Sequence, residues 1–134
     1  TQRQAEILPN TLVLGLNVPK DELEKRIRRR TEEMVTAGLE DEVRLLSEQF
    51  GWQVEAMTAV SYREWQAYFA GQQNLDETKQ LIIRHCVQYA KRQRTWFKRN
   101  PFIQWVSTSG EAMKLVEQFL EKSDKSWAHL SDTI

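Results

Sequence analysis

Thr11 to Val18 reads TLVLGLNV, an apolar run too brief for a helix, and it predicts a buried strand. A second short run, FIQWV at Phe102 to Val106, follows Asn100 and Pro101 and has the same character. Between them the patterning is helical. Two strands separated by four helices would each leave unpaired backbone groups, so they do not make a credible sheet alone. The pattern predicts a mostly α-helical chain whose two short strands join a larger, mostly parallel α/β sheet built largely from residues outside it.

Working outward, Pro19 stands at a helix start, and Asp21, Glu22 and Glu24 favour the positive end of its dipole. That helix is expected to reach Ala37, where Gly38 supplies a left-handed cap. A second runs from Leu39 to Phe50 and stops at Gly51. Ser61 and Glu64 have capping-box spacing for a helix through Ala70, and Asn74 and Glu77 repeat it for a long helix ending near Lys98. Beyond the second strand, Ser109 is read as the cap of an amphipathic helix from Glu111 to Glu121. Met113, Leu115, Val116, Phe119 and Leu120 supply its apolar face. Residues 1–10 read as a connector, 11–122 as the body and 123–134 as a frayed tail. No internal repeat is visible.

With 134 residues, 40% apolar and 28% charged, the composition is that of one soluble globular domain, and it excludes disorder and collagen-like order. No apolar run approaches the roughly 20 residues of a membrane-spanning helix. The lone cysteine, Cys86, makes neither an internal disulfide nor a thiolate zinc site and fits a reducing cytoplasm. The first residue is Thr1 rather than methionine, as expected of a processed product or of a piece cut from a longer chain.

Nineteen basic residues balance nineteen acidic ones, but unevenly. From Thr78 to Gly110 there is no carboxylate, while Lys79, Arg84, Lys91, Arg92, Arg94, Lys98 and Arg99 make the stretch a local cation. On the long helix, Ile82, Cys86, Tyr89, Ala90, Trp96 and Phe97 fall on one side; Arg84, Gln88, Lys91, Arg92, Thr95, Lys98 and Arg99 fall on the other. One reading is a solvated face. The other is a docking ridge for a nucleic-acid backbone, because solvated faces usually mix signs to gain i,i+4 pairs and this one does not.

The first helix holds a second anomaly. Arg30 lies on the apolar stripe of Leu23, Ile27 and Met34, with Arg26 at its margin. An arginine there snorkels, forms a buried ion pair, or points into a cleft as a bidentate clamp on a phosphate or diphosphate. Arg28 and Arg29, near Glu24, Glu32 and Glu33, read as surface charges. His85 has no acidic residue close in sequence and so no evident dyad. Cys86 reads as core, and Trp52, Trp65, Tyr68 and Phe69 as packing. No glycine-rich phosphate loop, GxSxG elbow or HExxH motif occurs.

Three strings taken in order carry a resemblance: LEKRIRRRTEEMVTAGLEDEV (Leu23 to Val43), AVSYREW (Ala59 to Trp65) and QYAKRQRTWFKR (Gln88 to Arg99). Together they closely resemble the carboxy-terminal part of tRNA dimethylallyltransferases, also called tRNA isopentenyltransferases, over roughly Thr11 to Val106. The resemblance implies a P-loop-type α/β core with a helical insertion. It implies transfer of dimethylallyl from dimethylallyl diphosphate to N6 of the adenosine 3′ of the anticodon, tRNA position thirty-seven, with the base flipped out of its stack and Mg2+ assisting diphosphate departure. By position it implies that Arg30, aided by Arg26, meets the donor diphosphate. It further implies that Thr58, Ala59, Val60, Ser61, Tyr62 and Arg63 form one tRNA-contacting loop. Lys91, Arg92, Gln93, Arg94, Thr95, Trp96, Phe97 and Lys98 would form another contact to the tRNA anticodon stem-loop.

Ser61 departs from the pattern, standing where the family usually has glycine before the tyrosine. The family's amino-terminal P-loop, its general-base aspartate and its leaving-group threonine have no counterpart here, so the magnesium ligands and a missing amino-terminal half are expected elsewhere. The expected activity therefore belongs to a cytoplasmic enzyme of which this chain is one part, inactive alone. A free-standing RNA-binding module, or a helical protein whose ridge binds an acidic partner, are the competing readings.

Overall fold

The computed structural model describes residues 9–131, with side chains through Ser123. Most of the connector expected at residues 1–10 lies outside the described residues. The chain divides into two compact units: Thr1–Val18 with Arg94–Ile134, and Pro19–Gln93.

In the first unit, β1 (Val13–Leu16) and β2 (Ile103–Val106) pair with each other in parallel. The sequence reading left each strand awaiting outside partners; in the structure they satisfy one another on one edge, in the register Val13↔Ile103 through Leu16↔Val106. Asn17 N–H extends the ladder to the Val106 carbonyl at 2.7 Å. Gly15 stands opposite Trp105, and a Cβ there would come within 2.7 Å of both Ile103 Cγ2 and the Trp105 ring. That close approach is why glycine sits in the strand. Helix α5 (Ser109–Ser131) follows and contacts β2. Its cap is Thr108 rather than Ser109: Thr108 Oγ1 accepts the Glu111 N–H at 3.2 Å, and Glu111 Oε2 accepts the Ser107 N–H at 2.7 Å. Where a tail was expected to fray from Ser123, the helix continues through Ser131.

The second unit contains α1 (Lys20–Thr36), α2 (Leu39–Phe50), a 3-10 turn at Glu55–Thr58, α3 (Trp65–Phe69) and most of α4 (Leu75–Lys98). Gly38, at φ 107, takes the left-handed conformation that ends α1 and lets α2 start at once. Asn74 Oδ1 accepts the Glu77 N–H at 2.8 Å, so the predicted cap of α4 is present.

The core is Leu39, Val43, Met57, Trp65 and Ile82, each of the aliphatic side chains contributing roughly 1.5–3 kcal/mol by burial. The Trp65 ring stacks on Phe69 at 6.0 Å and meets the Tyr68 ring edge-on at 5.2 Å. On α4, Thr78, Ile82 and Ile83 are buried, but Tyr89, Trp96 and Phe97 are exposed. The apolar underside predicted for the whole helix is therefore covered only along its first half. No helix among the described residues is long and apolar enough to cross a membrane.

Candidate functional site

Spacing decides which arginines of α1 are engaged. Arg26 has Glu22 four residues before it and pairs at 3.1 Å; Arg28 has Glu24 at 3.0 Å; Arg29 has Glu33 four residues after it at 3.7 Å. Arg30 has Arg26 and Met34 at those positions, and it forms no ion pair among the described residues. It is exposed, so the buried ion pair weighed from sequence does not form. The reason is that Leu23, Ile27 and Met34, the stripe on which Arg30 lies, are themselves only half-buried. Arg26 is not held free beside Arg30; its exposed pair with Glu22 contributes only about 0.2–0.5 kcal/mol.

The charge of Arg30 acts on the thiol of Cys86 on α4. Burial pushes that thiol up, a hydrogen bond with Ser61 opposes the shift, the Glu64 carboxylate raises it further, and the Arg30 guanidinium pulls it down. Cys86 is thus a protonated, unreactive thiol at neutral pH. Its neighbours bring together Arg30, Ser61 and Glu64, three residues from α1 and from the turn preceding α3.

Ser61 has φ 81, in the left-handed region that costs a non-glycine residue roughly 1–2 kcal/mol. This is the position where the resemblance expects glycine. The predicted capping box is half present. Glu64 Oε2 accepts the Ser61 N–H at 2.8 Å, but Ser61 is not extended as an N-cap must be, and α3 begins only at Trp65.

Sequence reasoning missed the partner of His85. The Glu64 side chain is fully buried, and its Oε1 lies 2.8 Å from His85 Nδ1 and 3.6 Å from Arg63 Nε. Twenty-one residues separate the two members of that pair, so no local signal reports it.

In the Thr58–Arg63 loop, Thr58, Ala59 and Arg63 are exposed, and Val60, Ser61 and Tyr62 are half-buried. Thr58 Oγ1 donates to the Glu55 carbonyl at 2.6 Å. Tyr62 is tied to α2 by a 3.2 Å hydrogen bond to Glu42, and burial followed by that carboxylate raises its phenol above the ordinary value. On α4, Lys91, Arg92, Gln93, Thr95, Trp96, Phe97 and Lys98 are all exposed. Arg94 is half-buried and donates to Asn17 Oδ1. Trp96 and Phe97 meet edge-to-face at 5.0 Å. Exposed rings interleaved with cations can stack on bases while the cations meet phosphates.

Among the described residues, no three His, Cys, Asp or Glu side chains lie close enough to share a metal ion.

The chain is similar to known proteins over most of its length. The family model described as IPP transferase matches residues 1–100. A tRNA dimethylallyltransferase of Picosynechococcus sp. is 38% identical over 122 residues, covering 90% of this chain and 40% of the relative. A tRNA dimethylallyltransferase of Pelobacter propionicus is 45% identical over 97 residues, covering 72% of this chain and 31% of the relative. The crystal structure of the full-length tRNA isopentenylpyrophosphate transferase of Bacillus halodurans superimposes with a TM-score of 0.77 at 28% identity, over 91% of this chain and 42% of that one. The chain thus spans about two fifths of the Picosynechococcus relative and of the Bacillus halodurans structure. With the family model matched over residues 1–100 and these relatives covering most of its length, the chain belongs to the IPP transferase family.

Proposed function

We propose that this chain is the carboxy-terminal part of a cytoplasmic tRNA-modifying prenyltransferase, one that moves dimethylallyl from dimethylallyl diphosphate to N6 of the adenosine 3′ of the anticodon. Its share of the work is to grip the anticodon stem-loop and to supply one cation to the donor diphosphate. The observation that carries the reading is Arg30, exposed and without a carboxylate partner among the described residues while its three neighbours on α1 are paired. A guanidinium offers two parallel N–H donors to phosphate oxygens, and it stabilises the charge that grows on a departing diphosphate. The exposed cations and rings at the end of α4 support the grip on the stem-loop. Residues outside this chain complete the donor site, including the ligands of the magnesium ion the family resemblance implies.

The test is Arg30→Ala in a complete enzyme carrying this segment. The expected result is a fall of about a hundredfold in kcat/KM for the donor, with tRNA affinity within about twofold of the parent. Unchanged transfer kinetics would remove Arg30 from the site.

A further inference from the structure

Glu64 is the one carboxylate in the second unit whose side chain is fully buried and whose two oxygens serve different elements. Oε2 accepts the backbone N–H of Ser61 at 2.8 Å, while Oε1 accepts from His85 Nδ1 at 2.8 Å and lies 3.6 Å from Arg63 Nε. Its backbone carbonyl is held as well, by Gln73 Nε2 at 2.9 Å, and the same nitrogen reaches Thr78 Oγ1. Glu64 is therefore anchored at both ends between the turn and α4.

What it holds is not a relaxed turn. Ser61 sits at φ 81, a conformation serine adopts only when its surroundings over-determine it. The restraint here is the Glu64 carboxylate on the Ser61 N–H. Glycine would not need it, since the left-handed region costs it nothing.

We propose that Glu64 is a positioning residue for tRNA: its buried carboxylate holds Ser61 in the left-handed turn and fixes His85 on α4, presetting the Thr58–Arg63 loop. The inference rests on the reading above that this loop meets tRNA. Glu64 itself is buried and touches no substrate; it acts through the loop. Because Nδ1 of His85 is engaged by Glu64, the ring offers its other nitrogen in one fixed direction, so the carboxylate sets two elements at once.

The experiment uses the complete enzyme with an anticodon stem-loop RNA as acceptor, at a temperature well below unfolding. Glu64→Gln keeps the shape but removes the charge: the one remaining oxygen serves the Ser61 N–H only if the His85 ring switches tautomer to accept the amide N–H, and neither element is then held by a charge-assisted bond. KM for the RNA is expected to rise about tenfold, with kcat and the donor KM within about twofold. Adding Ser61→Gly to that variant is expected to recover most of the rise, because glycine holds the turn unaided. A role confined to overall stability would lower the melting temperature and leave this KM-against-kcat split unmoved. An unchanged RNA KM, or a double variant no better than E64Q, overturns the proposal.

Should E64Q yield no folded enzyme, Glu64→Asp asks the same question with the charge retained. Its shorter reach cannot serve both clients, and an RNA KM less than about threefold above the parent overturns the proposal. Arg63→Ala separates this inference from the reading beneath it. If R63A raises the RNA KM and E64Q does not, the loop meets RNA but Glu64 does not position it; if neither raises it, the loop contact itself is lost.

Discussion

The two halves of α4 carry apolar side chains at the same helical spacing and meet different fates. From Leu75 to Cys86 the helix buries Thr78, Ile82 and Ile83, and Ile82 joins a core with Trp65 and Val43. From Val87 to Lys98 it buries nothing among the described residues, and Trp96 stays 67% exposed. Periodicity reports which side chains share a face; whether anything covers that face is a property of the rest of the fold. The uncovered half is also where Lys91, Arg92 and Lys98 accumulate without a carboxylate in the same stretch. One helix thus anchors itself by its first three turns and is left to present its last three.

The largest expected effect lies in the covered half. Ile82→Ala removes a fully buried side chain from the contact with Trp65 and Val43, and it is expected to cost about 2–4 kcal/mol in urea unfolding of this chain. A loss below about 1 kcal/mol would mean that the first half is no better anchored than the second. Arg92→Glu probes the other half through binding. In the complete enzyme it is expected to weaken stem-loop affinity by about 1–2 kcal/mol at low salt and to lower the salt slope by roughly one. Folding should be unaffected, because Arg92 is exposed. Unchanged affinity at both salt concentrations would return the ridge to an ordinary solvated face.

What could be read ahead of the structure follows from where the information sits. The limits of α1 and α2 are written locally, in Pro19, Gly38 and Gly51, and the cap of α4 in Asn74 and Glu77; all are found at those places. The pairing of β1 with β2 is not local. Each strand looks like a lone edge until the intervening helices return the chain to it. Ser61 and Glu64 were legible as a pair but not as a turn, since a capping box and a left-handed serine held by a glutamate share one spacing. The Arg30 anomaly was visible as an arginine on an apolar stripe. Its exposure was not, because the stripe marks a half-buried face rather than the core. The Glu64–His85 contact was out of reach altogether: its members lie on a turn and a helix, and only packing brings them within 2.8 Å.

The smallest effect is the sharpest check on the contrast. Tryptophan is the largest side chain, and by size alone Trp96→Ala should cost more than Ile82→Ala. The structure orders them the other way. Trp96 is mostly exposed, and its one ring contact among the described residues is the edge-to-face meeting with Phe97 at 5.0 Å, itself on the uncovered face. Such a pair is worth at most about 0.5–1.5 kcal/mol, and less where solvent reaches both rings, so the expected loss in urea unfolding is below about 1 kcal/mol. The same substitution in the complete enzyme would lose about 1–3 kcal/mol of stem-loop affinity if a base stacks on the indole. A tryptophan that matters little to the fold and much to binding is what an uncovered helix end beside cations should contain. Were W96A to destabilise the chain as much as I82A, the two halves of α4 would be alike in packing, and the ridge would lose its claim to be a surface kept open for a partner.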